Sequence, residues 1–386
     1  PEVTIGTAAF GRLWLVGADG KTLYYSALLD ETRWAVADGG GLIDFSNVWP
    51  AGQDSIVAVE EFGGDLVVWG KNNTVIMTDG AGASLGIDPD SMYVSDTIPG
   101  LGAISQFAMT RAAGDFWFLS NSGLVGLRRE LVQRSTAFNN ISQNVQGQIN
   151  EWIQQETDFD DLTLVTDLKN DFVVAVFPTA GAQMVFDTRR SQPVLEQEQT
   201  FRATSWSAPL QTLAYIRDSQ DLYGSFAAVA GEILQYTGES DNGSSYFFDY
   251  ESGWLNLGQE ASQYLKFVKY LSSFVLVEQN VDVIHKIGYD FGKRDYSIVK
   301  SASGNPSAEY GTAEWGTNGV RDNTDATLVA GTDIAEYSGS FSLKTLKAPG
   351  RGSGQYIKVG IRLDTASGDF ALQQINLYAK IGRMAV

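Results

Sequence analysis

Cysteine is absent from the 386 residues, histidine occurs once and proline only nine times. Without cysteine there is no disulfide framework, no thiolate metal site and no thiol nucleophile. The lack of cysteine leaves the compartment open, since a secreted chain of this size can also do without it. One histidine, His285, excludes sites built from several imidazoles. It leaves a Ser-His-Asp triad resting on a single residue in the apolar run Val283-Ile284-His285, and it reads as an ordinary strand histidine. Apolar runs are short: Phe172 to Pro178 is typical, far below the roughly 18 residues that span a membrane. No basic segment followed by an apolar stretch marks a signal peptide, and the start at Pro1 rather than methionine reads as trimming or processing.

Positive charge is also scarce. Lys and Arg number 27 against 46 Asp and Glu, a net charge of −19. The imbalance is uneven: Pro1–Trp254 holds 33 acidic and 13 basic residues, whereas Leu255–Val386 holds 13 and 14. Two readings stand. The acids serve solubility alone, or they form a surface that repels nucleic-acid phosphates instead of binding them by counterion release.

What the chain does have is a repeat. Five short apolar strands recur, centred on Leu13, Leu66, Phe116, Phe172 and Leu222, at spacings of 53, 50, 56 and 50 residues. Each is flanked by further strand-like runs and tight turns. Ile56 to Val59, a Gly63-Gly64 turn, Leu66 to Trp69, a Lys71-Asn72-Asn73 turn and Val75 to Met77 make one unit. Phe107 to Met109, an Ala113-Gly114 turn, Phe116 to Leu119, an Asn121-Ser122-Gly123 turn and Leu124 to Leu127 make the next. Asn and Gly supply the positive φ that tight hairpins need. Self-similarity at this period marks a repeat array whose units cannot bury their own faces. With 12% aromatic residues and 41 glycines, the expected class is all-β: a β-propeller of about five to six blades over residues 1–254. Its middle strands are apolar on both faces, as sheets stacked between sheets require.

Helical periodicity is clear once. Ile141, Val145, Ile149 and Trp152-Ile153 form one stripe, which predicts a helix over 142–155 capped by Asn140 or Ser142. It is read as a packing helix, with its Gln- and Asn-rich face as an alternative contact to a neighbouring subunit. The acidic stretch Thr157 to Asp161 reads as a solvated loop, without the ligand spacing of a calcium loop, and Gly238 to Ser245 as a polar loop. The pattern changes near Trp254 to Gly258. Beyond it, Phe267–Tyr270, Phe274–Val277, Val281–Ile284, Tyr356–Ile361 and Leu372–Tyr378 read as strands, with a long polar loop over 301–340 and a Ser367-Gly368 turn. A smaller β-sandwich-like domain over 255–386 is expected, closing or docking the propeller.

No catalytic, cofactor-binding or metal-ligating residue is assigned, and no cofactor is expected. Gly39-Gly40-Gly41 lacks the context of a phosphate loop. Gly17 to Thr22 lacks the Ser and the spacing of sialidase-type turns, and the dipeptide signatures of WD40 and kelch blades are missing. The pairs Arg128-Arg129 and Arg189-Arg190 read as edge protection or inter-blade ion pairs, or as contacts to an acidic neighbouring subunit.

Several stretches resemble the tail nozzle (tail tubular or DNA-stabilisation) proteins of short-tailed bacteriophages. They are Arg12–Gly17 with Leu23–Ser26 and Trp34, Ile43–Phe45 with Val48–Asp54 and Ile56–Ala58, Asp96–Gly102, Phe116–Ser120 with Gly123-Leu124, and Asn140–Val145. The likeness lies mainly between Phe10 and Ile153. It implies a structural virion protein of the phage tail rather than an enzyme. Such a protein is a homo-oligomeric ring, usually a homohexamer, at the tail tip, retaining the packaged genome and conducting it during ejection. Its implied partners are the tail adaptor and portal-complex proteins, tail fibres or spikes, and double-stranded DNA that passes without specific binding, with no membrane-spanning segment. The expectation that follows is that Asp and Glu of the repeat region face a central channel. The alternative is a β-propeller that binds glycans or a receptor through exposed Trp and Tyr. A propeller glycoside hydrolase, which needs two converging carboxylates, is the least favoured.

Overall fold

The computed structural model describes residues 3–49, 53–79, 87–127, 140–195, 198–206, 210–226, 231–236, 245–257, 264–277, 280–302, 342–365 and 370–384. The chain divides into two compact units, Pro1–Tyr236 and Thr237–Val386.

The first unit is a series of five antiparallel sheets in chain order. They are β1 (Val3–Ala9), β2 (Arg12–Gly17), β3 (Thr22–Tyr25) and β4 (Gly41–Asp44); then β5 (Ile56–Phe62), β6 (Asp65–Gly70), β7 (Asn73–Asp79) and β8 (Met92–Pro99). The third has β9 (Met109–Ala112), β10 (Asp115–Ser120) and β11 (Gly123–Gly126). The fourth has β12 (Thr163–Asp167), β13 (Phe172–Phe177), β14 (Ala182–Leu195) and β15 (Glu198–Trp206). The fifth has β16 (Leu210–Ile216), β17 (Asp221–Phe226) and β18 (Leu234–Gln235). Each recurring apolar strand is therefore the second strand of its own sheet. The third sheet begins later than the sequence suggests: Phe107 and Ala108 belong to the turn before β9, where Ala108 N–H donates to the Ser105 carbonyl.

Side-chain alternation explains the stacking. Along a strand, successive residues face opposite sides. Leu66 and Val68 of β6 pack with Trp14, Val16 and Leu23 of the first sheet. Their neighbours Val67 and Trp69 pack with Phe116, Phe118 and Val125 of the third. Trp117 and Leu119 turn the other way, toward Val173, Ala175, Phe177 and Phe186 of the fourth. Phe172, Val174 and Val176 then meet Leu210, Leu213 and Leu222 of the fifth. Four apolar layers thus join five sheets, and β10 and β13 are buried almost throughout. The ends differ from the expected pattern. In β2 and β17 the outward residues Leu13, Leu15, Tyr223 and Ser225 are only half-buried, so these strands are fully covered on one face alone.

Turn chemistry repeats with the sheets. Phe10-Gly11, Gly63-Gly64 and Ala113-Gly114 all have positive φ at both positions, the two-residue hairpin geometry that matches strand twist. At the opposite end of the second and fourth sheets a buried carboxylate ties the second turn. Asp54, buried just ahead of β5, accepts from the N–H groups of Ser55 (2.9 Å), Lys71 (3.0 Å) and Asn72 (3.0 Å) and from Asn73 Nδ2 (2.8 Å). Glu156, buried ahead of β12, likewise accepts from Thr179 N–H (3.1 Å) and Ala180 N–H (3.3 Å) in the turn after β13.

The helix α1 spans Gln146–Gln155, preceded by a single 3-10 turn at Gln143–Val145. Neither Asn140 nor Ser142 caps it. Ser142 Oγ instead accepts from Leu124 N–H (3.0 Å) and donates to Gln146 Oε1 (2.7 Å), tying α1 to the β10–β11 turn. Ile149 and Ile153 are buried in the layer between the third and fourth sheets, with Trp152 against Phe177 at 5.3 Å. α1 is thus a packing helix.

The second unit holds β19 (Tyr246–Glu251), β20 (Tyr264–Val277), β21 (Val281–Tyr289), β22 (Arg294–Ala302), β23 (Ser342–Pro349), β24 (Ser353–Gly354), β25 (Ile357–Thr365) and β26 (Phe370–Met384). One sheet runs β19-β25-β21-β22, and the other is built on β20, which pairs with β23, β24 and β26. Two apolar clusters between them contain Val268, Leu271 and Val275 from one sheet and Ile287, Val283 and Ile361 from the other. The sequence places the division at Trp254/Leu255. The contacts place it at Tyr236/Thr237, because β19 pairs with β25 over Tyr246–Glu251 and so is held by the second unit. Phe267–Tyr270 and Phe274–Val277 are one strand rather than two. The polar Ser272-Ser273 pair between them is buried within β20, and bulges absorb the irregularity. The expected loops over 238–244 and 303–340, the Ser367-Gly368 turn and Arg128-Arg129 lie outside the described residues.

Replacing Asp54 with Ala removes one acceptor from four donors. Hydrogen bonds to a carboxylate contribute about 1.5–3 kcal/mol each and do not add, so the expected loss is about 3 kcal/mol. Asp54→Asn should lose less, since one acceptor oxygen remains. Urea unfolding followed by tryptophan fluorescence reads both; an unchanged midpoint for the alanine variant would refute the role.

Candidate functional site

The acids that dominate the first unit are found chiefly at turns. With 29 acidic and 13 basic residues between Pro1 and Tyr236, this unit carries most of the imbalance. Asp19 accepts from Lys21 N–H and Thr22 N–H, both at 3.0 Å, and from Thr22 Oγ1 at 2.7 Å. Those hydrogen bonds hold its carboxyl below the usual aspartate range. Asp167 accepts from Lys169 N–H, Asn170 N–H and Asn170 Nδ2. The near match to a sialidase turn, Gly17 to Thr22, is therefore a carboxylate-tied hairpin. The first strands of the five sheets carry only Glu60, Glu61 and Asp167. Few of the acids therefore lie on these first strands.

The most crowded acidic region joins Asp79, Asp88 and Asp90. Ser91 Oγ donates within reach of Asp79 Oδ1 (2.8 Å) and Asp88 Oδ2 (3.1 Å), Asp88 N–H donates to Asp79 Oδ2 (3.0 Å), and Asp88 caps a short 3-10 turn through Asp90 N–H. The Tyr25 hydroxyl donates to Asp90 Oδ1 at 3.2 Å, and burial followed by the Asp90 charge pushes that phenol above its ordinary range. The carboxylates converge on turn donors, which describes a clasp at the end of β7. Among the described residues, no group of three or more Asp, Glu or His is arranged to hold a metal ion.

A shallow depression of about 440 Å³ opens beside the first hairpin, lined by Ala8 to Leu13, Ser26 and Leu29 to Glu31. Arg12 spans it: Nη1 donates to the carbonyls of Ser26 and Gly39, both at 2.7 Å, and the guanidinium lies 5.6 Å from the Tyr25 ring centre. Gly39-Gly40-Gly41 is explained by packing. A Cβ on Gly40 would meet the Trp34 backbone at 2.6 Å, and one on Gly41 the Tyr25 hydroxyl at 2.4 Å. Asp30 is tied to Thr32 and Arg33. The depression thus has an arginine already committed to backbone, and its two acids, Asp30 and Glu31, are chain neighbours, the first tied to Thr32 and Arg33.

His285 lies in β21, fully buried between the two sheets of the second unit, with Nε2 2.8 Å from Ser273 Oγ. No carboxylate bonds to its buried Nδ1, so the acid of a triad is missing. Burial pushes the imidazole below the usual histidine range, against a weaker opposing pull from the Ile298 and Val283 backbone. Elsewhere in this unit Lys266 is buried, its Nζ donating to the Gln355 carbonyl, and burial lowers its pKa. Asp290 accepts from Gln355 N–H and Tyr356 N–H. The Tyr289 hydroxyl donates to the Arg351 carbonyl at 2.6 Å, with its pKa pushed up by burial to about 12. These groups bind together the start of β25, the end of β21 and the preceding loop. Arg189 pairs with Asp187 at 3.1 Å on its own strand.

No protein-family model matches this chain, and no curated protein does. Among solved structures it is similar to one titled "AfRom2 CNH domain", at 12% identity over 65% of this chain and 78% of that one, with a TM-score of 0.32. It is also similar to an engineered GH43 glycoside hydrolase with endo-xylanase and exo-arabinofuranosidase activity, at 10% identity over 92% and 96% of the two chains, with a TM-score of 0.25. A GH32 β-fructofuranosidase of Bombyx mori, at 11% identity over 98% of this chain and 78% of that one, has a TM-score of 0.17. These likenesses are too slight to carry an argument about fold or activity.

Two ionisable groups give opposite pH signatures. Glu60 is held mostly by burial above the usual glutamate range. The folded chain therefore takes up this proton more readily than the unfolded one, and stability is lost as pH rises through the folded value. Glu60→Gln should raise Tm at pH 7, with the gain gone near pH 4. His285 behaves conversely: its lowered pKa means the unfolded chain binds the proton better, so stability falls as pH drops through the ordinary histidine range. Because it is the only histidine, wild type should lose stability between about pH 7.5 and 5.5, and His285→Leu should flatten that slope even at lower overall stability. Calorimetry across pH reads both; an unchanged slope in the His285 variant would overturn the assignment.

Proposed function

We propose that this chain is a structural protein of a bacteriophage tail. In this reading it is a homo-oligomeric ring of the nozzle type, a hexamer by analogy with that family, that retains packaged DNA and lets it pass during ejection. The observation that carries the reading is the first unit itself: a stack of five sheets held by apolar layers, whose polar surface is dominated by carboxylates at turns. Such a surface repels phosphate and leaves contacts with DNA weak and easily broken. The stretches that resemble the nozzle family fall on its framework: Trp14 and Trp49 in an apolar layer, Asp54 in its turn, and Asn140 to Val145 leading into α1.

The work of such a protein is mechanical and electrostatic, without bond chemistry. The blades close into a propeller, and the acids, few of which lie on the first strands of the sheets, face a central channel. Adaptor and portal-complex proteins of the tail, and fibres or spikes, are the partners this reading requires.

Native mass by light scattering tests it, with the chain alone and with a tail adaptor–portal assembly. The expected result is a discrete ring, alone or on that assembly, with no measurable affinity for duplex DNA at physiological salt. A monomer that ignores the assembly would overturn the reading, and glycan arrays would then test the glycan-binding alternative.

A further inference from the structure

The strands β20, β23, β24 and β26 contain five lysines and one arginine but no aspartate or glutamate. In a chain of net charge −19, this one sheet is purely basic. Its outward face combines charge with rings. Tyr270 and Tyr378, opposite one another in register, stack at 4.2 Å with 24° between planes. Lys347 Nζ lies 5.7 Å from the Tyr270 ring centre. Phe267 stands opposite Lys380, and Lys269 is exposed on the same strand. Two of the three rings are exposed, Phe267 to 41% and Tyr378 to 45%, and Tyr270 is half-buried. The ion pairs of the described residues involve none of Lys269, Lys347 and Lys380.

We propose that this face of the β20 sheet is the surface that receives the acidic first unit of a second copy of the chain. Charge complementarity identifies the occupant. The face supplies cations with no carboxylate on their own sheet, and the first unit, with 29 acidic and 13 basic residues, supplies the opposite sign. The best-matched element is the 3-10 turn at Phe159–Asp161, where Asp158, Asp160 and Asp161 are exposed around a Phe159 that is itself 43% exposed. Rings beside lysines thus meet a ring beside carboxylates, the mixture of aromatic contact and opposed charge that sets register and partner choice. A contact between two different surfaces is head-to-tail, so it generates a ring when the rotation closes. The inference rests on the ring reading above and names the surface that builds the ring.

The test uses the full chain, mixed from unlabelled and ¹⁵N-labelled preparations, and a carbodiimide that joins lysine amines directly to carboxylates. Mixed-isotope peptides linking Lys269, Lys347 or Lys380 to an acid between residues 1 and 236 are expected. Light scattering supplies the second reading. The K269E/K347E/K380E variant should associate at least about tenfold more weakly, and the parent should weaken similarly at high salt. All three positions are exposed, so circular dichroism should be unchanged; if the triple variant fails to fold, K347E alone should still weaken association measurably. A ring that survives the reversals, with cross-links elsewhere, overturns this surface and leaves the ring reading standing. A parent chain that stays monomeric, alone and with the adaptor assembly, overturns both. Binding of a single-stranded oligonucleotide that the triple variant loses while the ring persists makes nucleic acid the occupant and overturns the proposal.

Discussion

Each sheet of the first unit can bury its two faces only against its neighbours, and the rest of that unit follows from this constraint. Trp69 and Val67 point one way from β6, Leu66 and Val68 the other, and both sets are buried because a sheet lies on each side. The stack is therefore cooperative along the chain: a sheet removed from the middle would expose two layers. The end sheets are the exception, and their outward residues are correspondingly smaller, more polar or half-covered. Only a further surface would bury them.

Charge serves two ends. Asp19, Asp54, Asp167 and Glu156 each satisfy backbone N–H groups in turns that the ladders leave open. A carboxylate with two acceptor oxygens suits such turns better than a neutral side chain. A stack with many turns thereby becomes acidic without any binding role being imposed on it. The net charge still acts on whatever approaches, so structural economy and repulsion of phosphate come from the same residues. The second unit contrasts with this. Its β19-β25-β21-β22 sheet pairs acids and bases locally, with Lys286 between Asp249 and Glu251, whereas the β20 sheet carries a single sign.

The buried polar groups of the second unit are fixed rather than poised. Lys266, Asp290 and Tyr289 each find a backbone partner, and His285 reaches only a serine. The shifted proton affinities of Lys266, Tyr289 and His285 are consequences of burial and bear on stability. A perturbed pKa is a pointer to chemistry only where a cleft and a second reacting group accompany it. Here the strand packing that shifts the groups also shields them.

The sequence by itself determined the repeat, the five second strands, the glycine hairpins at Gly63-Gly64 and Ala113-Gly114, and the helix stripe through Ile149 and Ile153. These are encoded locally, in alternation and in residues that tolerate positive φ. Tertiary structure alone decided which turns recruit Asp54 and Glu156, since the donors lie about twenty residues from the acceptors. It also decided that Ser272-Ser273 continues a strand, because a buried partner across the sandwich makes a polar pair tolerable there. The same holds for β19, whose short apolar pattern fits either unit until its hydrogen bonds to β25, more than a hundred residues away, assign it to the second. The all-basic face is a middle case. Its composition stands in the sequence, but three separated strands become one surface only when their register brings Lys380 opposite Phe267 and Tyr378 opposite Tyr270. Pairing between distant strands is set by packing and not by local preference, and local preference is what a sequence displays.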